Sequence, residues 1–229
     1  MSRSSVAIVV HSGPMHHFFD ELSQQTLQEV LDLVSGLLAE VYDEVPPFTL
    51  FGGALRDLIL KRALHRIDVR VIVSDSSPFF QHLFNKYRER VQILVTIGSS
   101  HERCYLTLDD GVELELSSRP SYTRYKTETQ LDSSTELALD RVMGSDLGLC
   151  AIAVSSFGHV MQHSAFVQDV TNGTLTVMHD VENDRVREYT ERMKLKFDIN
   201  QVVYQFPELQ LGGEDDLAKT NLSKVEIII

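Results

Sequence analysis

Gly52-Gly53 separates a short apolar run, Phe48-Thr-Leu-Phe51, from a stretch of helical character, Ala54 to Leu64. A strand that enters glycine and leaves as a helix must turn sharply, and glycine permits this because it has no Cβ. Such a turn also aims backbone N–H groups at an anion outside it, so the pair is expected to cradle a phosphate. Arg56, one turn on, would add a forked donor to that phosphate, while Asp57 would brace the arginine or hold a ribose.

The segment Ile67-Asp-Val-Arg-Val-Ile-Val73 alternates, which predicts a strand with Ile67, Val69 and Val71 on one face and Asp68, Arg70 and Ile72 on the other. Asp110-Gly111, between Tyr105-Leu-Thr-Leu108 and Val112-Glu-Leu-Glu-Leu116, predicts a tight hairpin because both turn positions favour positive φ. Glu113 and Glu115 then share one face of its second strand. Three carboxylates, Asp68, Glu113 and Glu115, on neighbouring strands beside a phosphate cradle suit Mg²⁺, or Mn²⁺ in its place. That arrangement serves nucleotidyl transfer, in which two metals about 3.5–4 Å apart clamp the attacking and leaving oxygens. A glycine pair after a strand also serves as a plain tight turn, and carboxylates on a hairpin also serve as a solvated face. The residues alone leave both readings open.

The rest of the chain fits an α/β protein. Leu27, Val30, Leu31, Val34, Leu37, Leu38 and Val41 predict an amphipathic helix over 18–43, ended before Pro46-Pro47. Phe80, Leu83, Phe84 and Tyr87 mark another helix, and 91–97 and 149–154 read as strands. Residues 117–134 read as a loop, expected to be mobile and placed to cover a site. Asn172-Gly173 is a turn, and a basic helix covers 184–197. The polar, acidic tail from Gly212 ends in Val225-Glu-Ile-Ile-Ile229, an edge strand or a partner-binding segment.

A net charge of −12 excludes the footprint of a general duplex-DNA binder, so any nucleic-acid contact must be local. Cys104 and Cys150 lack metal-knuckle spacing, which fits a reducing compartment. The opening has only a five-residue apolar run, Val6 to Val10, too short for a signal or membrane segment; a cytoplasmic protein is expected.

Phe51-Gly-Gly-Ala-Leu-Arg-Asp-Leu-Ile-Leu-Lys61, followed by Arg66-Ile-Asp-Val69, resembles the GGxxRDxLLG…DxD signature of the class II tRNA nucleotidyltransferase and poly(A) polymerase head domain. Ser145-Asp-Leu-Gly-Leu-Cys-Ala-Ile-Ala153 is similar to a degraded form of the family's RRDFTINA motif. Asp169-Val-Thr-Asn-Gly173 is similar to its D-x-x-x-G segment. Order and spacing agree over residues 48–197. The resemblance implies a nucleotidyltransferase (polymerase-beta-like) fold, a mixed sheet flanked by helices, with a head domain over 1–180 and a helical and acidic-tail appendage over 181–229. It implies that Gly52, Gly53, Arg56, Asp57 and Asp146 bind nucleotide, that Asp68 with Glu113 or Glu115 is catalytic, and that Asp68 and Glu115 hold Mg²⁺.

The sequence departs from that pattern where it matters most. Arg66 stands at the first Asp of DxD, and a guanidinium repels Mg²⁺. Gly144 and Ser145 replace the arginine pair, and Cys150 replaces the asparagine. Only residues 198–229 follow the basic helix, so the resemblance is to compact head-only proteins of phages and bacteria. Two functions follow as expectations. One is transfer of an NMP from an NTP to a hydroxyl of RNA, a protein or a small molecule. The other is an inactive relative that binds nucleotide, or a protein partner through its tail.

The remaining marks have plain readings beside functional ones. His11, His16 and His17 suggest metal ligands but more simply cap a helix, and His65 reads as a surface residue or a phosphate contact. Cys150 reads as a buried, inert thiol. The basic helix would meet RNA phosphates or form a salt-bridged face with Glu188 and Glu191.

Overall fold

The computed structural model describes residues 8–73, 75–95, 102–119, 131–179, 183–204 and 225–228. In chain order the elements are β1 (Ile8–Pro14), α1 (Glu21–Ala39), β2 (Phe48–Phe51), α2 (Gly53–Ile59), β3 (Arg66–Ile72), α3 (Ser77–Tyr87), β4 (Val91–Val95), β5 (Glu102–Thr107), β6 (Glu113–Arg119), α4 (Ser133–Met143), β7 (Ile152–Ser155), β8 (His159–His163), α5 (Ser164–Asn172), β9 (Thr174–Val177), α6 (Asp184–Phe197), β10 (Gln201–Tyr204) and β11 (Val225–Ile228). Nine strands form one mixed sheet in the order β11-β1-β8-β7-β2-β3-β6-β5-β4, and β10 pairs with β9 in a small second sheet. The architecture is α/β, a mixed sheet with helices packed against it.

Register sets what each face carries. β3 and β6 run parallel, with Arg66 opposite Glu113 and Asp68 opposite Glu115. The alternate residues Ile67, Val69, Val71, Leu114 and Leu116 are buried in the main core with Leu27, Leu31, Val34 and Leu38 of α1. The charged face of β3 and β6 is thus fixed by the burial of its opposite face. A smaller core, made by Leu147, Leu149, Leu175, Val177, Val186 and Met193, seats α6 against β9.

Several boundaries differ from the sequence reading. The first helix covers Glu21–Ala39 rather than 18–43, because the Asp20 carboxylate accepts from the Ser23 N–H and starts it there. The helix after the glycine pair stops at Ile59, with Lys61 at φ +55°. At Asp110-Gly111 only Gly111 takes positive φ, and Thr107 pairs with Glu113, so the hairpin has a five-residue loop rather than a two-residue turn. Of the loop expected over 117–134, Ser117 and Ser118 are buried in β6, which runs to Arg119, and Ser133-Ser134 open α4, capped by Asp132; residues 120–130 lie outside the described residues. Leu149-Cys150 ends a 3-10 turn, Gly148–Cys150, and the strand begins at Ile152. Asn172-Gly173 is a turn as expected, made by Gly173 as the left-handed cap of α5. Of the two readings of the tail, Val225–Ile228 is an edge strand, parallel to β1; the acidic stretch from Gly212 lies outside the described residues.

His163 caps α5, its Nδ1 accepting from the Ala165 N–H at 3.0 Å while the side chain is 1% exposed. Burial, with His179 and His11 nearby, pushes its pKa down to about 4. Between pH 6.5 and 4 the unfolded chain holds a proton that the folded chain refuses, so stability falls as pH falls through that window. The gap corresponds to about 3 kcal/mol. Urea denaturation at pH 7.5 and 4 should show the wild type losing that much more than His163→Asn, which keeps a capping oxygen. Equal losses in the two proteins would refute this.

Candidate active site

β2 bonds β3 on one side and β7 on the other, which fixes Phe51 opposite both Asp68 and Ala153. Gly52 follows at φ +78°, ψ −131°, a conformation open only to glycine. Its N–H donates to the Ile152 carbonyl at 2.9 Å. That amide is therefore spent inside the protein, and what Gly52 offers a ligand is close backbone approach. A Cβ there would stand 3.5 Å from Asp68 Oδ2, so the turn and the carboxylate adjoin.

Asp68, Glu113 and Glu115 converge on one guanidinium. Arg66 Nε lies 3.7 Å from Asp68 Oδ1, while its Nη1 lies 3.8 Å from Glu113 Oε1 and 3.3 Å from Glu115 Oε2. Arg103, on β5, donates to the other oxygen of Glu115 at 2.9 Å. Burial and the neighbouring Glu115 raise the Asp68 pKa to about 6, against the pull of Arg66, Arg141 and Arg103. Arg141, from α4, stacks 4.2 Å over the Phe51 ring, and Arg70 lies 5.9 Å from that ring. The face thus carries three carboxylates and at least as many arginines.

A divalent ion, implied by the fold, needs two or more carboxylate oxygens directed at a common point. Here the carboxylates meet on Arg66 instead, and no group of three His, Cys, Asp or Glu among the described residues is arranged to hold a metal. The residues as placed do not fit Mg²⁺.

Arg56 is turned into the protein and is 3% exposed. Its Nε donates to Asp57 Oδ1 at 2.9 Å, its Nη1 faces Cys150 Sγ at 3.4 Å and Met193 Sδ at 3.8 Å, and its guanidinium lies 4.5 Å over the Phe197 ring. Asp57 also receives Lys196 at 3.2 Å. Arg62 lies 4.3 Å over Phe197 and donates to the Lys196 carbonyl. Asp57 thus braces Arg56, one of its two expected roles, and the arginine expected at a phosphate is held with it between α2 and the basic helix α6. Cys150 Sγ sits 3.0 Å from the Tyr189 hydroxyl, and burial raises both pKa values. Gly53 adjoins the same cluster, since a Cβ on it would stand 3.3 Å from Arg56 Nη2.

Asp146 accepts from the Met178 N–H through its backbone carbonyl, and no hydrogen bond or ion pair among the described residues joins it to Asp68. His16 and His17 are exposed in a 3-10 turn, Met15–His17, and His65 is exposed with its carbonyl on the Glu113 N–H. On α6, Glu191 pairs with Lys194. Arg103 and Arg141 were not foreseen. Arg103 follows from the hairpin register, which sets Tyr105 opposite Glu115 and Arg103 diagonal to it; Arg141 has no local signal.

No family model matches the sequence, and no curated protein does. Solved structures do match in shape. A CCA-adding enzyme in complex with ATP aligns with 83% of this chain and 43% of its own, at 17% identity and a TM-score of 0.57. The Thermotoga maritima CCA-adding enzyme complexed with tRNA aligns with 87% of this chain and 44% of its own, at 17% identity and a TM-score of 0.57. An apo CCA-adding enzyme aligns with 91% of this chain and 46% of its own, at 16% identity and a TM-score of 0.58. This chain spans less than half the length of each, and the likeness is one of fold.

Proposed function

We propose that the chain binds a nucleoside triphosphate between the Gly52 turn and the Asp68 face and transfers its nucleotidyl group to an acceptor hydroxyl, with pyrophosphate leaving. The observation that carries this reading is the convergence of Asp68, Glu113 and Glu115 on one sheet face, beside a backbone turn that only glycine can make. Fold-mates crystallised with ATP, with CTP and with tRNA support a nucleotide donor and an RNA acceptor. Direct attack on the α-phosphorus needs no covalent intermediate. Arg66, Arg103 and Arg141 supply positive charge for the phosphates, and Asp68, ionised above about pH 6, takes the acceptor proton. No step runs through Mg²⁺, because the carboxylates that would hold it are ion-paired with Arg66. That pairing also favours a second reading, a relative that binds nucleotide without transferring it.

The test is incorporation of label from α-³²P NTPs into RNA, together with calorimetric NTP titration of wild type and Asp68→Ala. Transfer should fall by about 100-fold or more in the variant, the range for losing one proton-transfer group. Binding without transfer in the wild type selects the second reading, and absence of binding by every NTP sinks both.

A further inference from the structure

We propose that Arg66 is the resident cation of this site: its guanidinium occupies the position between Asp68, Glu113 and Glu115 that a divalent ion would take, and so determines that the site works without one. The placement comes from the backbone. Parallel pairing of β3 with β6 sets Arg66 directly opposite Glu113 and two residues along its own strand from Asp68, whose partner is Glu115. All three carboxylates lie within 3.3–3.8 Å of one side chain. Arg103 takes the remaining oxygen of Glu115. A cation entering here would have to displace the ion pairs that Arg66 makes with its ligands and would meet a fixed positive charge.

Arg66 is also suited to stay. A guanidinium remains charged at every working pH, and its planar fork serves several carboxylates at once, which an ammonium cannot do. Its side chain is 52% exposed, so N–H groups not turned to the carboxylates face outward, where a polyphosphate would arrive. This last step rests on the nucleotide reading above: a triphosphate would enter as the free anion, not as its magnesium complex.

Two measurements separate the parts. Free Mn²⁺, followed by its solution electron paramagnetic resonance signal, is titrated with wild type, Arg66→Gln and Arg66→Asp, each checked for folding by circular dichroism and melting. The wild type should leave the signal free, while Arg66→Asp should bind Mn²⁺ at least about tenfold more tightly, since one repelling charge becomes a ligand. Arg66→Gln, which removes only the charge, should fall between them. Adding Asp68→Asn to Arg66→Asp should abolish the gained binding. Wild-type Mn²⁺ binding that Asp68→Asn abolishes would overturn the proposal.

The second measurement is ATP titration in EDTA and in Mg²⁺. The wild-type apparent affinity should be higher in EDTA than in excess Mg²⁺, which sequesters the free anion as its complex, whereas equal or weaker binding in EDTA would overturn metal-free entry. If ATP binds in neither buffer, the nucleotide reading fails, and the Mn²⁺ titration still decides the role of Arg66.

Discussion

Gly148→Ala should lower the stability of the folded chain by about 3–5 kcal/mol, from overpacking together with a displaced buried carboxylate. A Cβ at this position would stand 2.3 Å from Asp169 Oδ2, 3.1 Å from the Ala165 Cβ and 3.1 Å from the Thr176 Cβ. Asp169 has nowhere to go. Its Oδ1 accepts from the Thr174 and Thr176 hydroxyls, each at 2.8 Å, and its Oδ2 from the Thr176 N–H at 2.9 Å. Any retreat leaves a buried carboxylate short of donors, with its pKa already raised by burial. The shift in urea midpoint at constant slope measures the effect. A loss under about 1 kcal/mol would show that the turn yields easily, contrary to this packing.

The second large effect is expected at Asp57, which is 7% exposed and pairs with Arg56 and Lys196. Asp57→Ala strands the Arg56 guanidinium, a change that costs about 3 kcal/mol or more when a buried pair loses one member. Replacing both, as Arg56→Met with Asp57→Ala, removes the stranded charge and should recover a large part of the loss. Urea denaturation of the three proteins checks this, and amide exchange in α6 should quicken in the single variant because Lys196 loses its anchor. A double variant worse than the single one would mean that the Arg56 contacts with Cys150, Met193 and Phe197 outweigh the ion pair.

The parts of this structure that were legible in the sequence are those with one buried and one polar face. β3 is the clearest: Ile67, Val69 and Val71 alternate with Arg66, Asp68 and Arg70, and burial of the first set dictates where the second points. Gly52 was legible because only glycine makes its turn. α4 was not, since Ser134, Thr135, Leu137, Ala138, Leu139, Asp140 and Val142 are buried around its circumference and leave no stripe to read. Leu149-Cys150 read as strand because an apolar run has no period of its own; Gly148 packing against Asp169 makes it a tight turn.

The charged face divides in the same way. An arginine among acidic residues is plain in the sequence, and its repulsion of a metal follows at once. Its partnership with Glu113 and Glu115 depends on β3 lying parallel to β6, and α3, β4 and β5 intervene between them. The brace of Asp57 on Arg56 was legible because the two are neighbours in sequence; their contacts with Phe197, Met193 and Lys196 were not, because those residues lie on α6, far along the chain.

The pairing of β1 with β11 bears on how the molecule is assembled. Ile8 and Val225 are register partners, so β1 completes its pairing only when a strand far along the chain docks beside it. Closing so long a loop is slow in entropy terms, and until it closes β1 is an open sheet edge beside β8. An edge with unpaired N–H and C=O groups templates pairing with other chains. A copy whose β11 has not yet docked therefore presents β1 to its neighbours as a template for pairing.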